Sequence, residues 1–278
     1  MESLIKSGFA RKHPISMLLD AILLCSVGIF VGLSTFPNYT SILNIAFVTV
    51  GIMPVLYSVF VKEEKEEAKK PGAALTFLGR HFDIIMVYSW FFIGLIVAYA
   101  FWYHYLPEPQ RALAFKEQEA TWGQINQLRG NLTQTTSIAT ACQSRDVTLL
   151  AMNCIYYNNA IVLGWAILFS FVYGAGSIFL IAWNASVIGL VIGKEWVSTN
   201  VVRAMARAIG LLPHGMPEIF AYFFGAIAGG IISVGVTKKK YRGKEFEIVL
   251  KDAAVMIITA YIVLFAAAVI EAYLIIGG

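Results

Sequence analysis

The sequence is poor in charge. Asp, Glu, Lys and Arg make up 14% of its 278 residues, against about 25% in an ordinary soluble domain. Three cysteines are too few for an extracellular module held together by disulfides. No Walker loop, dinucleotide fingerprint, nucleophile elbow or Cys-x-x-Cys pair occurs, so no motif calls for a cofactor, and none is expected. The net charge is only +4, and the basic residues form short clusters between apolar runs, which excludes a nucleic-acid binder. A chain that is 58% hydrophobic is not a disordered tail either.

What fills the sequence is long apolar runs. About 20 such residues cross roughly 30 Å of hydrocarbon as a helix. They occur at 15–33, 41–61, 84–106, 150–173, 176–193, 216–236 and 253–276. Backbone amides in lipid must pair within their own segment, so the expected fold is all-α, a polytopic transmembrane helix bundle of about seven spans. No small-residue cleavage site precedes the second run, so the first is taken as a span and not a signal peptide.

Orientation follows from Lys and Arg. With the N-terminus inside, seven spans put fourteen of these residues on the cytoplasmic side and seven outside. Treating 150–193 as one span plus a re-entrant piece levels the count to eleven and ten, and exposes Lys238, Lys239 and Lys240 outside. The seven-span arrangement is the better one. Its tight point is the turn at Gly174-Ala175-Gly176. The run from Lys62 to Lys70 alternates Glu and Lys at helical spacing and reads as a solvated extension of the second helix. Residues 1–82 then form a helical hairpin with a charged cytoplasmic loop, and 83–278 carry the remaining spans with one long outside loop at about 107–149. That loop is too small to fold alone.

Two sequons, at Asn38 and Asn131, fall in segments expected outside and are candidate glycosylation sites. Cys142 and Cys154 lie in or beside the long loop and are a candidate disulfide; Cys25 is buried in the first span. Polar groups inside spans cost free energy and are functional candidates by default. They are Asn158 and Asn159 in the fourth span, Asn184 in the fifth, and the group His214, Glu218 and Glu271. Pro213 and Pro217 suit the first turn of a helix, His214 and Glu218 are spaced i, i+4, and a carboxylate near a helix N-terminus is favoured by the dipole. The sixth and seventh spans are antiparallel, so Glu271 returns to the level of His214 and Glu218. One His and two carboxylates suit a hydrogen-bonded seam, an ion site or proton transfer, and the metal question stays open. His13, His81 and His104 sit at span boundaries. Gly189 with Gly193, and Gly225 with Gly229, have the small-xxx-small spacing that lets helices approach closely.

Several of these residues resemble the stage II sporulation protein M family of prokaryotic membrane proteins. The match runs through Asn158-Asn159, Gly174-Ala175-Gly176, Asn184 and Gly189, then Leu212-Pro213-His214-Gly215-Met216-Pro217-Glu218 and Ala268-Val269-Ile270-Glu271-Ala272-Tyr273. The resemblance implies a five-span core made of 84–106 and the last four runs, to which the first two are an N-terminal addition. Ala185 stands where the family usually has Gly. It also implies a multi-pass cell-membrane protein, a non-enzymatic scaffold or anchor for a multiprotein complex. The partners expected are the lipid bilayer and membrane or extracytoplasmic proteins, with a homo-oligomer as a further option. The alternative is a transporter or permease-like subunit using the intramembrane polar residues; an intramembrane hydrolase built on His214 ranks third.

Overall fold

The computed structural model describes residues 13–67, 77–133, 147–174, 176–237 and 244–277. Among them there is no strand. Helix α1 spans Ser16–Thr35, and a short 3-10 turn, Pro37–Tyr39, leads into α2, Thr40–Glu67. Then come α3 (Phe77–Tyr105), α4 (Glu108–Ala114), α5 (Lys116–Thr133), α6 (Val147–Tyr173), α7 (Ile178–Ser198), α8 (Val201–Thr237) and α9 (Lys244–Gly277). Helices α1, α2, α3, α6, α7, α8 and α9 are each long and apolar enough to cross a membrane. The protein is an all-α, multi-pass bundle in contact with lipid.

Residues 150–193 form two helices, α6 and α7. The link between them can be short because Gly174 takes a left-handed φ of 70°, which closes a helix without the strain a side chain would bring. The Ser170 hydroxyl donates to Ser177 Oγ across the turn, at 2.7 Å. We call this end of the bundle the turn face. The opposite end, where α4 and α5 lie, is the loop face.

Helix α8 is the hub. It packs against α9, α6, α7 and α2, and most of its apolar stretch is buried, whereas most of that of α6 is not. One departure from the sequence reading concerns its start. Pro213 and Pro217 do not open the helix; they lie inside it, and α8 begins at Val201. Asn200 caps it, its side-chain oxygen accepting from the Arg203 amide at 3.0 Å, and the Ala-rich turns that follow propagate well. Glu218 is therefore far from the helix N-terminus, and the expected help from the dipole does not apply there.

The first two helices share the bundle's interior. Tyr88 of α3 sits between Phe60 of α2 and Phe223 of α8, with ring centroids 6.2 and 5.4 Å away. Gly94 lets α3 approach α1 so closely that an added Cβ would lie 2.6 Å from the Leu18 carbonyl oxygen. Cys25, Asn44 and Tyr99 form a buried polar knot joining α1, α2 and α3. The Asn44 amide donates to the Cys25 carbonyl at 2.7 Å, and the Tyr99 hydroxyl donates to Asn44 Oδ1. Beside it, the Trp102 indole donates to Ser26 Oγ at 2.9 Å.

Candidate functional site: a polar chain inside the loop-facing half

The strongest intramembrane polar arrangement joins α6 to α8. Asn159 Nδ2 donates to Glu218 Oε1 at 2.5 Å, and Asn158 Nδ2 reaches Asn159 Oδ1 at 3.3 Å. Asn158 is exposed and Asn159 half-buried, so the chain runs from the surface inward. Tyr222, buried one turn beyond Glu218, lies within electrostatic range of both Glu218 and Glu271. The C-terminal part of α9 reaches this region because Ala272 is buried with Ala151 of α6, backed by Met152 and Ile155. Tyr156 meets Phe265 edge-on at 5.6 Å one level below.

Four of the expected residues thus gather between α6, α8 and α9: Asn158, Asn159, Glu218 and Glu271. His214 is half-buried one turn before Glu218 on the same helix. Asn184 stands apart on α7, where its amide donates to the Leu180 carbonyl of its own helix at 2.8 Å. Among the described residues, no three His, Cys, Asp or Glu side chains are arranged to hold a metal ion. The chemistry this chain offers is carboxylate-to-amide hydrogen bonding inside a low-dielectric bundle, which ties α6 to α8.

The small-residue pairs meet neighbouring helices within the same chain. A Cβ added to Gly189 would lie 2.5 Å from Tyr99 Cβ, and at Gly193 2.6 Å from Tyr103 Cβ, so this pair brings α7 onto α3. At Gly225 the obstacle is Leu163, at 2.5 Å, and at Gly229 the Ile167 carbonyl oxygen, at 2.6 Å; this pair brings α8 onto α6. Asn38 is exposed in the turn between α1 and α2, and Asn131 falls near the end of α5. Cys154 lies on α6, two turns from its start, whereas Cys142 is outside the described residues.

A second polar system escaped the sequence reading. Glu119 of α5 forms a salt bridge with Lys194 of α7 and accepts from the Tyr103 hydroxyl of α3 at 2.6 Å. The Arg111 guanidinium of α4 lies 5.3 Å from the Tyr103 ring centroid. His104 stacks on Trp196 at 4.3 Å, with Tyr105 edge-on to both. These contacts clamp α4 and α5 down onto α3 and α7. Its signals were in the sequence: a Lys closing an apolar run, and Trp and Tyr at span ends where aromatic side chains favour the membrane interface.

Fold and site together define a polytopic helical membrane protein whose helices are joined by buried amides, carboxylates and close glycine contacts. The family model for stage II sporulation protein M matches residues 21–274, and the chain belongs to that family. The matched stretch takes in α1 from Ala21 onward and all of α2, as well as the five later spans. No curated protein and no solved structure matches the chain.

Proposed function

We propose that the protein is a non-enzymatic scaffold of the cell membrane, with its loop face outside, holding membrane or extracytoplasmic protein partners. The observation that carries this reading is the two-helix cap, α4 and α5, fastened to the bundle through Glu119, Lys194, Tyr103 and Arg111. A fixed structure on one membrane face is what an anchor needs to present. The bundle beneath it is knitted for rigidity. Asn44 and Asn184 satisfy their amides on the spot, and glycine seams bring helix backbones into direct contact.

The second reading, a transporter subunit, draws on the chain from exposed Asn158 to Glu218, with Tyr222 and Glu271 behind it. Two measurements separate the readings. Photo-crosslinkers placed on exposed positions of α5 in native membranes should capture one discrete partner at constant stoichiometry. Reconstituted proteoliposomes should show no solute flux that responds to Glu218→Gln. Flux abolished by that substitution, with no crosslinked partner, would overturn the scaffold reading.

A further inference from the structure

Helix α8 has 37 residues, so at 1.5 Å per residue it is about 55 Å long, far longer than the roughly 30 Å hydrocarbon core of a bilayer. Its two parts differ. Residues 219–235 are almost entirely buried, whereas in 201–216 Ala204 alone is buried. The first part is an arm.

The direction of the arm follows from its neighbours. Gly230 packs on Gly174, whose carbonyl oxygen lies 2.9 Å from where a Cβ would stand, so Gly230 is level with the α6–α7 turn. From there to Val201 is about 44 Å of helix at 1.5 Å per residue. Helix α7 leaves the same turn, and its 21 residues climb at most about 30 Å. Its last residue, Ser198, is joined to Val201 by only Thr199 and Asn200. Thr199 and Asn200 add at most about 10 Å of extended chain, so for both paths to meet α8 must lean by about 20° or more from the direction of α7, by the same helix rise. The buried part is held against α6 and α9. Pro213 and Pro217 sit between it and the arm, where each removes a helical donor and lets the axis bend. The arm therefore slopes through the loop-face boundary, close to Trp196 and Tyr105.

The side chains suit that place. Val202, Met205, Ile209, Leu212 and Met216 recur at spacings of three and four, forming one stripe, and all are exposed. Arg203 and Arg207 are also exposed and fall on the opposite side of the helix, at 100° per residue. They make no ion pair among the described residues, and the arm has no acidic residue before Glu218. At Gly210 and Gly215, nothing lies within 4 Å of an added Cβ, so no other part of the described chain covers the arm there. In a coiled-coil pair, charges flank the apolar seam. Here they oppose it, which is the arrangement of a helix lying in a bilayer interface.

We propose that residues 201–216 are an interfacial helix that binds anionic phospholipid at the loop face. The stripe from Val202 to Met216 enters the acyl region, and Arg203 and Arg207 pair with headgroup phosphates.

The test uses the full-length protein in liposomes of phosphatidylcholine alone or of phosphatidylcholine with one quarter phosphatidylglycerol, read by hydrogen–deuterium exchange. Amides of 201–212 should exchange at least about threefold more slowly with phosphatidylglycerol present. The double variant Arg203→Gln, Arg207→Gln should lose that difference, and Ile209→Asp should lose protection in both lipids. Unchanged exchange over 219–235 certifies that each variant is folded. Equal exchange of the native arm in the two lipids overturns the proposal. So does protection that tracks protein density in the bilayer and ignores the anionic lipid, which would assign the stripe to a second copy of the chain.

Discussion

Gly229 and Gly210 lie on the same helix and give opposite expectations for the same substitution. At Gly229, an alanine methyl would stand 2.6 Å from the Ile167 carbonyl oxygen, 2.7 Å from Ser170 Cβ and 3.1 Å from the Phe171 amide nitrogen. Two of these three atoms are backbone of α6 and cannot swing aside, so the helices must separate by several tenths of an ångström to reach ordinary contact. Overpacking of this kind costs about 1–3 kcal/mol, offset by up to about 1 kcal/mol that Ala gains over Gly in a helix. Separation also stretches the Asn159–Glu218 bond on the same pair of helices. Gly229→Ala should therefore destabilise by about 1–2 kcal/mol, the balance of the two terms. At Gly210, nothing lies within 4 Å, so only the propensity gain remains, and Gly210→Ala should be neutral or stabilising by up to about 1 kcal/mol. Thermal unfolding of the purified protein in one detergent, monitored by circular dichroism, reads both. Equal shifts for the two variants, or a loss at Gly210 matching that at Gly229, would refute the claim that direct backbone contact holds α6 to α8.

Other perturbations test the polar systems in turn. Asn44→Leu removes the acceptor of the Tyr99 hydroxyl and the donor to the Cys25 carbonyl; thermal unfolding should show a loss of about 1–3 kcal/mol from the stranded groups. Lys194→Met leaves Glu119 its Tyr103 bond, and the pair is more than a third exposed, so the loss should stay below about 1 kcal/mol and shrink with added salt. Limited proteolysis should nevertheless cut α5 faster in that variant. For Glu271, Gln should be mild in stability and in complementation, because an amide still hydrogen-bonds, whereas Leu should cost about 1–3 kcal/mol. Complete loss of complementation by a stably folded Glu271→Gln would instead point to a charged or proton-bearing role.

The spans were legible because hydrocarbon thickness and backbone pairing leave a chain this apolar almost no other fold. The acid–amide chain was partly legible for the same reason: Asn and Glu inside apolar runs stand out against a background that excludes them. What hydropathy could not supply was the extent of α8. Arg203 and Arg207 lower the window average, and two prolines suggest a boundary, so residues 201–212 look like loop. The cap at Asn200 and the three-four recurrence from Val202 to Leu212 were the better signals, and they are periodic and not compositional. Glu119 was invisible for another reason. It lies in an amphipathic loop helix of unremarkable composition, and its role exists only once Lys194 and Tyr103 arrive from α7 and α3.

Placed in the folded chain, four features lie towards one end of the described bundle. The α4–α5 cap, the stacked His104 and Trp196, the Asn158-to-Glu218 chain and the sloping start of α8 all lie in the loop-facing half. Helix α8 connects them: its first part leaves the bundle beside Trp196, Glu218 bonds α6 one turn past His214, and Gly225 to Gly230 lock it against α6 and the turn below. A displacement of the arm by a partner or by lipid must therefore either move Glu218 against Asn159 or be absorbed between them, at Pro213 and Pro217. The prolines weaken the helix at the one segment that separates the exposed arm from the locked half. The geometry favours absorption, so the arm can shift at the loop face while the bundle beneath keeps its packing.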